Sequence, residues 1–90
     1  MRAVIIEKFG GPENLVIGPW PTPEPGPREV RVKVAATALN RADTLQREGK
    51  YPSPPGDSPI LGLEMAGTVD RVGKEVKKWK EGDRVCGLLG

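Results

Sequence analysis

Polar side chains that could support chemistry are concentrated between residues 38 and 69. This stretch contains Asn40, Arg41, Asp43, Tyr51 and Glu64. An amide can bind a carbonyl or hydroxyl group, and a tyrosine can stack on a planar ligand or donate a proton to a reduced oxygen. Thiols and imidazoles are scarce, because the sequence has no histidine and one cysteine. The stretch therefore predicts chemistry supplied by a cofactor or partner rather than by a metal.

Composition restricts the class of protein. Ninety residues fit one small domain, and 12 glycines and 10 prolines favour short strands and tight turns over a helical bundle. A net charge of +2, with scattered basic residues, argues against nucleic-acid binding. Apolar runs are too short to span a membrane, and the N-terminus does not resemble a signal peptide. Cys86 alone forms no disulfide framework, so we expect a reducing, cytoplasmic location and no membrane partner.

Periodicity and turn residues predict five strands and one short helix. Residues 2–8 predict an opening strand, and residues 15–17 an antiparallel return after the turn at 10–14. Five prolines make residues 18–27 an extended crossing, with a polyproline recognition segment as the alternative. The remaining predicted strands cover residues 29–36, 66–72 and 84–89. In the first of these, alternation places Val30, Val32, Val34 and Ala36 on one face.

The predicted helix begins after Asn40, which is a good N-cap residue, and ends at Gly49. Asp43 would occupy its third position, near the positive end of the helix dipole. Ala42 and Leu45 would form its buried face, and the prolines at 52, 54, 55 and 59 would keep the following loop irregular. The apolar final strand at residues 85–90 lacks a polar tail, so we expect it to continue into a longer protein.

Several motifs together resemble the medium-chain dehydrogenase/reductase superfamily. They are Gly10-Gly-Pro-Glu-Asn-Leu15, Val30-Arg-Val-Lys-Val34, Leu39-Asn-Arg-Ala-Asp43, Gln46-Arg-Glu-Gly-Lys-Tyr51, Gly62-Leu-Glu64, Ala66-Gly-Thr-Val69, Val72-Gly73 and Gly82-Asp-Arg-Val85. The chain looks like the zinc-free quinone oxidoreductase branch, especially the p53-inducible quinone oxidoreductase type. The resemblance extends over essentially the whole chain.

This resemblance implies a mainly β, GroES-like, partly open β-barrel with one short helix. Residues 1–90 would be the N-terminal portion of the catalytic domain, and the Rossmann domain that binds NADPH in the family would be absent. No Gly-x-Gly-x-x-Gly fingerprint occurs in the sequence. The full-length protein would act on a small-molecule quinone or enone and could form a homodimer.

The resemblance also distinguishes the zinc-free branch. Zinc-dependent relatives have a cysteine at the position of Asn40 and a histidine at that of Leu63, and neither residue found here is a zinc ligand. Asn40 would bind cofactor or substrate, and Tyr51 and Gln46 would face the substrate. The alternatives are an N-cap role for Asn40 and a loop-packing role for Tyr51.

Asp43 and Glu64 are interpreted mainly as structural polar residues, each with a partner such as Arg41 or a backbone donor. Cys86 is expected to be a small buried core residue. The leading functional hypothesis is NADPH-dependent hydride transfer to a quinone without zinc, although the chain alone should be inactive. The alternatives are an enoyl-thioester reductase and a non-catalytic GroES-like interaction module that docks through its final strand.

Overall fold

The computed structural model describes residues 1–53 and 55–89, so Pro54 and Gly90 lie outside the described residues. In chain order the elements are β1 (Arg2–Ile6), a 3₁₀ turn (Pro12–Asn14), β2 (Leu15–Pro19), β3 (Val30–Thr37), α1 (Arg41–Arg47), β4 (Glu64–Val72) and β5 (Arg84–Leu88). The predicted mainly β architecture with one short helix is confirmed. The strands form two sheets, and within the described ranges neither sheet closes into a barrel.

The chain divides into two compact units. The first contains Met1–Pro21 and Leu39–Leu63, and the second contains Thr22–Ala38 and Glu64–Leu89. No helix in the described part of the chain is long and apolar enough to cross a membrane.

In the first unit, β1 and β2 pair antiparallel, as predicted. The ladder extends to Gly18 and Pro19, which the sequence placed in the extended crossing. Proline is tolerated there because Pro19 is the last residue of a strand in a two-stranded ribbon, where a missing donor costs least. Val4 lies opposite Ile17, and these side chains are 41% and 71% exposed, so one face of the ribbon is apolar and open.

Helix α1 also belongs to the first unit, and it begins after Asn40 as predicted. Gly49 adopts φ +84, the left-handed conformation that glycine adopts readily just beyond a helix. The prediction that Ala42 and Leu45 form the buried face is wrong in part, because both are only half-buried. The buried residue of the helix is Gln46.

In the second unit, β4 is the central strand of an antiparallel sheet with the order β3–β4–β5. The strict alternation predicted for β3 is interrupted by irregularities between Arg31 and Val32 and between Val34 and Ala36. Each irregularity shifts the side chains that follow relative to the partner strand. Val34, which was expected on the same face as Val30, Val32 and Ala36, is 55% exposed.

The core of the described chain is small, because Val69 is its one fully buried apolar side chain, with 1% exposure. Cys86 was predicted to be buried, and this is wrong. Its side chain is exposed, because the alternation of β5 places it on the same face as Arg84 and Leu88, which are exposed as well. Leu88 on the same strand is 78% exposed.

Candidate functional site

Asn40 and Asp43 form a reciprocal capping box at the start of α1. Asp43 Oδ2 accepts a hydrogen bond from the backbone N–H of Asn40 at 2.9 Å, and the Asn40 side chain faces the backbone N–H of Asp43. A capping box satisfies backbone donors that the first turn of a helix cannot pair. The N-cap alternative for Asn40 is therefore confirmed, and its proposed binding role must be compatible with this contact.

Asp43 has a second carboxylate oxygen, Oδ1, that is buried and has no hydrogen-bond partner among the described residues. The expected partner Arg41 is exposed at the helix surface and forms no hydrogen bond with this oxygen. A buried acceptor without a donor costs free energy. Asp43 thus caps the helix through one oxygen only.

Gln46 is 8% exposed, which makes it the buried polar side chain of the described chain. Its amide nitrogen Nε2 donates to the Pro59 carbonyl oxygen at 2.9 Å and to Ser53 Oγ at 3.3 Å. The amide nitrogen that was predicted to face the substrate therefore binds the loop that follows the helix.

Tyr51 begins that loop, and its side chain is 44% exposed. An aromatic ring this exposed presents a face that a planar ligand could cover, and its hydroxyl is available for hydrogen bonding.

Just before Tyr51, the end of α1 is held by Arg47. Gly10 N–H donates to the Arg47 carbonyl oxygen at 2.9 Å, and Arg47 Nε donates to the Gly10 carbonyl oxygen at 3.0 Å. Sequence analysis did not identify this contact, because it joins residues 37 positions apart.

Glu64 begins β4 in the second unit, whereas the other four predicted site residues belong to the first. Its backbone carbonyl oxygen accepts a hydrogen bond from Thr37 Oγ1 at 2.7 Å. It lines an open depression of about 210 Å³ in that unit. The other lining residues are Ala36, Thr37, Ala38, Met65 and Ala66.

The donor set for a metal is poor. Among the described residues, no group of three or more histidine, cysteine, aspartate or glutamate side chains could hold a metal ion. Asn40, at the position where the resemblance places a zinc ligand, uses its side chain in the capping box. Leu63 has no donor atom in its side chain. These residue types do not fit a zinc centre.

Residues 26–88 match the family model of the alcohol dehydrogenase GroES-like domain. The chain belongs to this family. The matched range covers the second unit except residues 22–25 and Leu89, and it includes α1 of the first unit. The predicted GroES-like resemblance is therefore confirmed.

The relatives of this GroES-like chain support the wider resemblance. It is 50% identical over 82 residues to a quinone oxidoreductase of Pseudomonas aeruginosa, covering 91% of this chain and 25% of the relative. Among solved structures, an NAD-dependent alcohol dehydrogenase matches with TM-score 0.84 and 46% identity, covering 96% of this chain and 25% of that one. The Escherichia coli quinone oxidoreductase complexed with NADPH matches with TM-score 0.76 and 40% identity, covering 94% and 25%. The resemblance to the medium-chain dehydrogenase/reductase superfamily is confirmed, and the chain spans about a quarter of the length of these relatives.

Proposed function

We propose that the chain is the N-terminal portion of the catalytic domain of an NADPH-dependent quinone oxidoreductase. The reaction would transfer a hydride to a quinone or a related enone without zinc. The 50% identity to the Pseudomonas aeruginosa quinone oxidoreductase, over 91% of this chain, is the observation that carries this proposal. The matched relatives are about four times longer, so the proposed activity is that of a protein of their length.

A zinc-free reaction is supported by the chemistry of the side chains. The sequence has no histidine, and its one cysteine, Cys86, lies on β5. A catalytic zinc needs three protein ligands, and these are usually histidine, cysteine or a carboxylate. Polarisation of the acceptor oxygen must then come from hydrogen-bond donors such as the Tyr51 hydroxyl.

Asn40 would provide the contact of this chain with the nicotinamide end of the cofactor. Its side chain carries both donors and an acceptor, so helix capping through oxygen is compatible with donation through nitrogen to a carboxamide or quinone oxygen. NADPH supplies the hydride when it is bound. Its phosphates would be held by the Rossmann domain of the longer protein, because the present sequence has no Gly-x-Gly-x-x-Gly motif.

Tyr51 would orient the acceptor. Its half-exposed ring can stack on the flat face of a quinone, and its hydroxyl can donate to the oxygen that becomes negatively charged on reduction. Holding two reactants in the correct geometry lowers the barrier without further catalytic groups. Catalysis by this chain would therefore consist mainly of positioning and exclusion of water.

The test uses the longer protein from its native source, assayed with NADPH and with NADH against a quinone and an enoyl thioester. We expect NADPH-dependent quinone reduction, and no turnover from the 90-residue chain alone. Tyr51→Phe should reduce kcat/KM for the quinone about tenfold and leave NADPH affinity unchanged, because a single hydrogen bond is lost. Preference for the enoyl thioester would favour the reductase alternative instead. Turnover by the 90-residue chain would contradict the proposal that a separate cofactor domain is needed for the reaction.

A second candidate, a non-catalytic interaction module, is favoured by one observation. Leu88 on β5, a strand with a neighbour on one side only, is 78% exposed. Open sheet edges of this kind bind further strands. Sedimentation that depends on concentration would support this module if Leu88→Lys abolishes the dependence and the control Lys74→Ala preserves it. A monomer at all concentrations would exclude self-association.

A further inference from the structure

The loop from Tyr51 to Pro59, called here the Tyr51 loop, has little means of holding its own shape. Pro52, Pro55 and Pro59 have no backbone N–H group to donate. Residues 55 and 56 form a turn, and among the described residues no backbone-to-backbone hydrogen bond ties the loop to the chain around it. The ends of this loop are therefore held by side-chain contacts.

Gln46 supplies such contacts at both ends of the loop. Its Nε2 donates to the carbonyl oxygen of Pro59, the last residue of the loop, at 2.9 Å. The same nitrogen donates to Ser53 Oγ, two residues after Tyr51, at 3.3 Å. Because the amide is 8% exposed, water competes poorly for these two hydrogen bonds.

The helix that carries Gln46 is itself anchored. Its last turn continues through the bonds from Gly49 N–H to the Gln46 carbonyl oxygen, at 3.0 Å, and from Lys50 N–H to the Leu45 carbonyl oxygen, at 2.8 Å. The paired contacts between Arg47 and Gly10 hold the same turn to the loop before β2. Gln46 thus links the Tyr51 loop to a fixed element.

We propose that Gln46 is a positioning residue that fixes Tyr51 for the acceptor, and that it does not bind the acceptor itself. The effect on the acceptor rests on the proposed function, whereas the effect on the loop does not. Gln46 acts by closing the loop between Ser53 and Pro59, so that the Tyr51 side chain is presented in one arrangement. Loss of these two hydrogen bonds should release the loop and leave the helix in place.

The first test measures the loop directly by ¹⁵N relaxation of the chain. Gln46→Met and Gln46→Glu keep the approximate size of the side chain. Methionine has no hydrogen-bond donor, and an ionised glutamate has none either, so neither variant can donate to the Pro59 carbonyl oxygen. We expect the order parameters of Tyr51 and Ser53 to fall from about 0.85 to below about 0.6 in both variants. Arg41→Gln, an exposed change on the same helix, is the matched control and should leave them unchanged. Unchanged order parameters in folded Gln46 variants would overturn the proposal.

The second test uses the longer enzyme and separates the acceptor from the cofactor. The Gln46 variants should raise KM for the quinone about tenfold, the effect of losing about one hydrogen bond, with KM for NADPH unchanged. A proportional rise in both KM values would indicate a general structural defect and overturn the positioning role.

If the Gln46 variants do not fold, Ser53→Ala removes only the longer of the two hydrogen bonds, and it should give the same effects at smaller magnitude. An enzyme without quinone activity would refute the proposed function, and the relaxation measurement would still decide the role of Gln46.

Discussion

Asp43 Oδ2 accepts a hydrogen bond from the backbone N–H of Asn40 at 2.9 Å, and the Asn40 side chain faces the backbone N–H of Asp43 in return. The two residues thus form a capping box across the first turn of α1. The pair fixes the residue at which α1 begins. It also fixes the side chain proposed to contact the cofactor. Stability and binding at Asn40 can be separated, because several residue types cap a helix, but among them only asparagine has an NH₂ donor that is separate from the oxygen that caps.

Substitution of Asn40 should separate these two roles. Asn40→Ala removes the cap and should lower the free energy of unfolding by about 1 kcal/mol. Asn40→Ser keeps a good cap and should change stability by only a few tenths of a kcal/mol, roughly the spread among good capping residues. Chemical denaturation of both variants provides the measurement.

In the longer enzyme, Asn40→Ser should still weaken binding of the nicotinamide cofactor, because serine is too short to replace the amide. Fluorescence titration with NADPH measures this effect. Equal cofactor affinity for the wild type and Asn40→Ser would restrict Asn40 to helix capping.

Local patterns in the sequence predicted those elements whose signals lie within a few residues. The start of α1 follows from Asn40 and Asp43, and its end from Gly49, the residue with positive φ just beyond it. The β1–β2 pair follows from two apolar segments around the Gly-Gly-Pro turn. Each of these elements is marked by turn or capping residues that lie next to it in sequence.

The contacts that the sequence did not reveal depend on distant partners. The burial of Gln46 depends on the carbonyl of Pro59, 13 residues away, so no helical periodicity predicts it. The irregularities of β3 depend on its pairing with β4. Cys86 lies in an apolar segment that suggests burial, yet it is on the exposed face of β5 together with Arg84 and Leu88. Periodicity reports the preference of a strand, whereas the partner strand decides what is buried.

Removal or addition of metal should not affect the chain. The described residues contain no group of ligands that could hold a metal ion, and the sequence has no histidine. We expect Tm to be unchanged by EDTA and by a stoichiometric amount of zinc, since only a ligand that binds the native state stabilises it. Differential scanning fluorimetry in both conditions is the measurement. A rise in Tm with zinc that Cys86→Ser does not abolish would contradict a metal-free fold.

The ion pairs around Arg31 should make stability depend on salt. Arg31 Nε lies 2.8 Å from Asp70 and its Nη1 lies 3.3 Å from Glu24, which also pairs with Arg71 at 3.1 Å. Arg31→Gln should lower Tm in dilute buffer, and the difference from the wild type should shrink in about 1 M salt, where charges are screened within about 3 Å. Arg28→Gln is the control, because Arg28 forms no ion pair with the described residues. An equal decrease in Tm at both salt concentrations would show that the network acts through packing.

The same arginine should make no pH-dependent contribution near neutrality. The side-chain hydrogen bond to Asp70 raises the pKa of Arg31, and the charge of Glu24 acts in the same direction. A raised pKa gives stability that is fully present below the unfolded pKa and is lost only as the pH rises through the folded value. The difference in Tm between the wild type and Arg31→Gln should therefore be constant from about pH 6 to about pH 9. A difference that falls steadily within this range would mean that another group controls the effect.

Gly67 on β4 should be the least replaceable residue of the three-stranded sheet. A Cβ atom at this position would collide with the carbonyl oxygen of Lys33 and would lie 2.9 Å from Val32 Cγ1. Relief of this overlap requires β3 to move, because a backbone oxygen cannot turn aside as a flexible side chain can. Gly67→Ala should therefore cost about 2–4 kcal/mol of unfolding free energy, as expected for strong overpacking. Gly87→Ala is the matched control on β5, since its Cβ would only contact Met65 Cε at an ordinary 3.8 Å. Urea denaturation that gave the two variants equal stability would show that β3 and β4 separate more easily than the close approach at Lys33 implies.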